Sequence, residues 1–484
     1  MVDFSDYFKI DKKCLDEYGA LDVSLEQDLP LFVDPFLLYA SDKSEYNLLH
    51  GEIIKYLSFL CGFSISDTDL TRLKYYYCFT EIKQNWLGFT YDGNKGSGLN
   101  IDFAKKLYKA LHGVFSDFGC EVGSISPHLE KLVILEPGVG KDKISDFTTN
   151  LIIDYLARYT ERFAKEFIDP TLCKKHRIKR AFFNYEEKLW EPREYYLPTF
   201  GGDYVLLTPK DFLARDNTWI NKEDLCDRGL DYYVAAANNA EQRLVLNEHL
   251  RQQLKEYYQK PTKALAKKII PGVVSANPFL LDLYIKEKEE DWFNAKKQSA
   301  FSIKQIEEIK KLIRRIETSL EVRDSFANTY EEAHYFSKLF KDYIENNDGY
   351  RVINHHDLEK PCREQIVQDY FGSVLHTSRN SQIDREVNNG RGPVDFKMSR
   401  GKIDSTLIEL KLARNTHLKK NLENQLDIYK KANGTEHGIV IIVYYTEKEL
   451  ERAEIILWDL GLSNNSDIYL VDARNDNKQS ASAV

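Results

Sequence analysis

The sequence predicts a mixed α/β protein in three parts: an N-terminal α/β region over 1–230, a helical connector over 231–350, and a C-terminal domain over 351–484. Three observations carry this. Apolar runs alternate with helical patterns through the first region. Ile303, Ile306, Ile309, Ile313, Ile316 and Leu320 repeat at helical spacing in the connector. After about residue 360 the signals run α-β-β-β-α-β-α-β, an order that builds a mixed sheet with helices on its faces.

Taken in order, "KLVILEPGVG" (131–140) reads as a strand and a turn, and 145–167 as a helix. In "YVLLTPKDFLARD" (204–216) a strand precedes a helix with Thr208 at the N-cap, Pro209 in the first position and Asp211 at N3. Residues 232–269 read as helical. Ser302 and Gln305 have capping-box spacing ahead of the isoleucine repeat, and a second helix covers 326–346 up to "NNDG". In the last part a helix runs over 361–375 with Pro361 in its first turn. Strands follow at 381–387, 393–398 and 405–413, then a helix at 416–432 that stops at Asn433-Gly434. A strand at 438–446, a helix at 447–460 and a strand at 468–473 complete the domain.

Composition narrows the function. With 484 residues and 43% hydrophobic content there is ample chain to bury cores. Mean hydropathy is −0.48, and no stretch approaches the roughly 18 apolar residues of a membrane span. The start "MVDFSDYFKIDKKC" lacks the apolar segment of a secretory signal. Seven cysteines are scattered without a CxxC pair, which suits a reducing cytoplasm and speaks against a disulfide scaffold or a zinc finger. Net charge is −9. From Arg351 onward 19 basic residues face 20 acidic ones, so that part carries −1 and the rest −8. Between Arg379 and Lys420, ten basic residues oppose five acidic ones. The acidic first part is expected to regulate, to recognise a target or to assemble with a second copy or a protein partner.

Chemistry concentrates in "GRGPVDFKMSRGKIDSTLIELKLA" (390–413). Side chains alternate along a strand, so Glu409 and Lys411 share one face while Ile408, Leu410 and Leu412 take the other. The turn around 399–402 lets the strand ending at Pro393-Val394-Asp395 lie alongside, and Asp395 can join them. Two carboxylates so close repel unless a cation sits between them. Oxygen ligands with few protein donors suit Mg²⁺, with Mn²⁺ as a substitute, and a neighbouring lysine can orient or deprotonate an attacking water. A bare ExK is common as a surface ion pair. Glu81-Ile82-Lys83 is such a decoy, with no Pro-x-Asp strand before it.

Pro393-Val394-Asp395 followed by Glu409-Leu410-Lys411 resembles the PD-(D/E)XK nuclease superfamily. The order of elements around it is similar to that family's restriction-endonuclease-like core. The resemblance implies a magnesium-dependent nuclease in which Asp395 and Glu409 hold the metal and Lys411 is the catalytic amine. Gln425 and Tyr429, one turn apart on the next helix, resemble the QxxxY variant of RecB-like members. Glu364, three and seven residues before Val367 and Phe371 on an apolar stripe, matches the carboxylate many members carry on the preceding helix, which makes it a third metal ligand. The surrounding phrasing also resembles large uncharacterised bacterial proteins that end in a nuclease domain and are linked to phage defence. The implied substrate is nucleic acid, DNA ahead of RNA. The alternative is a catalytically silent subunit that binds nucleic acid or a partner through the same fold.

Other motifs carry less. Gly138-Val139-Gly140-Lys141 lacks the earlier glycine and the following Ser or Thr of a phosphate loop. Asp142 and Asp146 could form a second acidic site, but Asp146 reads better as the cap of a helix starting at Phe147. His355-His356 reads as linker.

Overall fold

The structure is a computed structural model that describes residues 2–62, 69–88, 98–114, 127–134, 139–215, 218–228, 252, 263–321, 326–347, 349–354, 361–388, 393–401, 403–423 and 434–478. The chain is mixed α/β and divides into two compact units, Met1–Ile303 and Lys304–Val484. The expected boundary near 350 therefore moves to 303/304. The reason lies in the helix Thr329–Asn346, read above as connector. It belongs to the second unit, where Phe340 stacks 5.1 Å from Phe371 and the buried Glu332 pairs with Arg400 at 2.6 Å. Most of 231–262 lies outside the described residues.

In the first unit, β1 (Phe32–Val33) pairs antiparallel with β5 (Leu213–Ala214). β2 (Cys173–Asn184) and β3 (Leu189–Phe200) form a long antiparallel hairpin whose register shifts between Ile178 and Phe182, and β4 (Asp203–Tyr204) adds to its edge. The helix Ile153–Phe167 seats Ile153 and Ala157 against Ile178, Tyr195 and Leu197 of that hairpin.

Several sequence expectations change here. Leu129–Val133 is helical, where a strand was expected. The helix over 145–167 is two, Lys141–Leu151 and Ile153–Phe167, broken at Ile152. Before the break, Thr148 Oγ1 donates to Ile144 O and Asn150 Nδ2 to Asp146 O, side-chain bonds that compete with the helix ladder. Asp146 sits inside the first of these helices and caps nothing. After β4 there is only a 3₁₀ turn, Lys210–Phe212, because the next residues pair with β1; Thr208 is buried and no N-cap. Ser302 and Gln305 lie within the helix Trp292–Glu321. Ser302 Oγ donates to Gln298 O and Gln305 Nε2 to Val352 O.

The second unit follows the expected order closely. The helix Glu364–Leu375 leads into β6 (Gln382–Asn388), β7 (Pro393–Arg400) and β8 (Asp404–Leu412). β9 (His437–Tyr444), the helix Glu447–Asp459 and β10 (Ile468–Asp472) complete it. Sheet order is β10-β9-β8-β7-β6; β6, β7 and β8 run antiparallel, whereas β8, β9 and β10 are parallel. β8 and β9 are buried on both faces, which is why they read as near-continuous apolar runs. Gly401 turns the chain between β7 and β8 at φ +66°, a conformation that favours glycine. No helix among the described residues is long and apolar enough to cross a membrane.

Candidate active site

β7 and β8 pair from Arg400↔Asp404 to Phe396↔Ile408. At the next step Asp395 bonds through its side chain: Leu410 N–H donates to Asp395 Oδ2 at 2.8 Å. This anchors Asp395 beside Glu409, which pairs with Val440 of β9, while Lys411 pairs with Ile442. Opposed residues share a face, so both lie on the side that also carries Val440 and Ile442. Farther out, that side packs on Ala453, Ile456 and Leu457 of the helix Glu447–Asp459.

Lys411 Nζ stands among three carboxylates: Asp395 Oδ2 at 3.0 Å, Glu409 Oε2 at 2.9 Å and Glu364 Oε1 at 3.5 Å. Glu364 opens its helix and reaches across to β8, where Oε2 accepts from Leu412 N–H at 3.1 Å and from Asn415 Nδ2 at 3.2 Å. Glu409 is the innermost of the three, with its residue 4% exposed. Its Oε2 makes an ion-pair contact with Lys411 whose angle is not that of a hydrogen bond, so no donor satisfies this buried oxygen. Burial, and then the Asp395 carboxylate, push Glu409 up to about 9 against the pull of Lys411. Burial alone would lower the Lys411 amine, but Asp395 and Glu409 outweigh it and hold it above the ordinary lysine range. With those neighbours the amine is a cation at neutral pH and a poor base.

The donor set fits a divalent cation at Asp395 and Glu409, because two adjacent carboxylates, one with an unsatisfied buried oxygen, need positive charge. In this conformation Lys411 supplies it. Among the described residues no trio of His, Cys, Asp or Glu is placed to hold a metal ion, since Glu364 is spent on Leu412 and Asn415 behind the amine.

Four of the six predicted site residues, Glu364, Asp395, Glu409 and Lys411, thus converge. Gln425 and Tyr429 lie outside the described residues. Asn415, which steadies Glu364, escaped the sequence reading, as did Gln368, whose Nε2 donates to Leu410 O at 3.3 Å. Neither position shows in a periodicity; the only signal was the polar "RNTH" after the strand. The decoy lies in irregular chain: Lys83 starts a 3₁₀ turn and Ile82 is buried. The basic run is largely committed inside the fold. Arg385 pairs with Asp369 at 2.7 Å, Arg400 with Glu332 at 2.6 Å and Lys419 with Asp459 at 2.8 Å, while Arg414 donates to Pro361 O and Cys362 O.

Two family models match the chain. One is described as Domain of unknown function (DUF8370) and covers residues 9–221; the other is Domain of unknown function (DUF8371) and covers 329–447, a span holding every site residue from Glu364 to Tyr429. No curated protein and no solved structure matches.

Proposed function

We propose that the chain is a metal-dependent nuclease that hydrolyses phosphodiester bonds, DNA ahead of RNA, in the cytoplasm of a bacterium, with a role in anti-phage defence. The observation that carries this reading is the convergence of Asp395, Glu409 and Lys411, with Glu409 buried and one of its oxygens unsatisfied. The order of elements around them and the PD-(D/E)XK pattern support it.

Each residue then has a task. The Leu410 N–H fixes Asp395, and β8 fixes Glu409, so the two carboxylates are held as a preformed pair. Bound Mg²⁺ or Mn²⁺ would supply Lewis-acid stabilisation of charge on the scissile phosphate. Lys411, protonated, would offset charge that builds on the phosphate oxygens as the bond breaks. Glu364 holds the amine from behind and is itself held by Leu412 N–H and Asn415. The N-terminal unit would select the target or restrain the nuclease.

The test is incubation of the purified chain with plasmid, linear duplex, single-stranded DNA and RNA, with Mg²⁺ or with EDTA. Cleavage of at least one DNA substrate, abolished by EDTA, is expected. Binding of nucleic acid without cleavage under any of these conditions would overturn the reading in favour of a silent binding subunit.

A further inference from the structure

The first unit holds a cavity of about 400 Å³, in the size range of small-molecule sites. Tyr39, Ser41, Asn47, His50, Glu289 and Trp292 line it. The nuclease reading uses none of them. What they offer a ligand is one-sided. His50 is 7% exposed and its Nε2 has no hydrogen-bond partner. Burial, and then His128 beside it, push His50 down to about 3, so its ring is neutral and keeps a lone pair. Asn47 spends its Nδ2 on the carbonyls of Leu38 (3.1 Å), Tyr39 (2.9 Å) and Ser41 (3.1 Å), which leaves its amide oxygen to face a guest. Glu289 accepts at Oε1 from His128 Nε2 at 2.9 Å, and a carboxylate has about four acceptor positions. Tyr39 and Trp292 contribute aromatic faces. The Trp292 ring already carries the Lys296 ammonium 4.6 Å from its centre, and that lysine is neutralised by Asp42 Oδ2 at 2.6 Å. No lining residue is Lys or Arg.

We infer that this cavity binds a small organic cation bearing an amine or a guanidinium. Its acceptors would take the ligand's N–H groups, Glu289 would meet its charge, and Trp292 and Tyr39 would flank it through cation–π contact. An anionic ligand would instead face a carboxylate and lone pairs, with no lining cation to receive it.

The experiment is calorimetric titration of the full chain with putrescine, agmatine and spermidine, with 1,4-butanediol as the uncharged counterpart of putrescine and AMP as an aromatic anion. At least one cation should bind with a dissociation constant below about 1 mM, and the diol and AMP should not. Glu289→Gln keeps an acceptor for His128 but drops the charge, and should weaken binding roughly tenfold or more. Trp292 is 39% exposed, so Trp292→Ala should leave the melting temperature unchanged while weakening binding severalfold. Absence of binding by all three cations, equal binding of the diol, or undiminished binding by Glu289→Gln would each overturn the inference. So would saturation by Zn²⁺ alone, since that would make His50 a metal ligand instead.

Discussion

Replacing Lys411 with methionine removes a charge and keeps most of the side chain's volume. The amine lies 3.0 Å from Asp395 Oδ2, 2.9 Å from Glu409 Oε2 and 3.5 Å from Glu364 Oε1. At an effective dielectric of about 20, one such pair at close range is worth roughly 5 kcal/mol before desolvation. Glu409 contributes little of this near neutral pH, because it is pushed up to about 9 and stays protonated. Removing one partner of a buried pair costs about 3–5 kcal/mol. In a unit of this size each kcal/mol moves the melting temperature by roughly 2–4 °C, so Lys411→Met should melt roughly 6–20 °C lower in EDTA. If Asp395 and Glu409 form a cation site, Mg²⁺ should now replace the lost charge. At about 100 times its dissociation constant it would return about 2.7 kcal/mol. The assay is thermal unfolding of wild type and variant in EDTA, in Mg²⁺, and in Na⁺ at matched ionic strength. A large loss of stability that Mg²⁺ repairs no better than Na⁺ would make the cluster a structural ion-pair network. No loss at all would show that the amine does not neutralise the carboxylates.

Asp395→Ala and Glu409→Ala should each abolish cleavage while the chain stays folded, and Glu81→Ala should cleave as wild type; activity assays at equal folded concentration check this. A fragment beginning at Lys304 should melt cooperatively, whereas one beginning at Arg351 should not. The shorter piece loses Phe336, Phe340, Tyr343 and Ile344, each buried and worth roughly 1.5–3 kcal/mol against a total stability of about 5–15 kcal/mol; circular dichroism melts of both fragments decide it. Glu130 is fully buried, and burial with the Asp34 carboxylate holds it well above the ordinary range. The folded state therefore keeps a proton that the unfolded chain has lost, so stability falls as pH rises above the ordinary glutamate value, by up to about 3 kcal/mol at pH 7. Glu130→Gln should raise the melting temperature at pH 8 and leave it unchanged near pH 4; equal shifts at both would refute the assignment.

The C-terminal sheet was legible because its strands are short, apolar and bounded by turn residues, and because strand parity puts Glu409 and Lys411 on one face whatever the tertiary context. Glu364 was legible from its place in the first turn of an amphipathic helix. Three kinds of feature were not. The break at Ile152 comes from Thr148 and Asn150 turning their side chains onto the backbone, a choice that composition does not signal. The missing helix after Thr208 was overridden by β1, a pairing partner some 180 residues earlier in the chain. The basic run looked like a surface for phosphate, yet Arg385 and Arg400 are consumed by Asp369 and Glu332, acids contributed by helices that precede the strands. The same distant pairing hid the boundary at 303/304. Glu332 and Phe340 read as ordinary residues of a connector helix until the sheet they cover is in place.

The most direct test of the proposed site is single-turnover cleavage of a DNA substrate across a Mg²⁺ titration, with wild type, Glu409→Gln and Lys411→Ala side by side. Glu409→Gln removes the buried carboxylate and should leave no cleavage at any Mg²⁺ concentration that saturates wild type. Lys411→Ala should keep cleavage strictly Mg²⁺-dependent while its plateau rate falls on the order of 10²-fold, the size of effect seen when a charge-stabilising donor is lost. Wild-type rates from both variants at the same Mg²⁺ would place the chemistry somewhere other than β7 and β8.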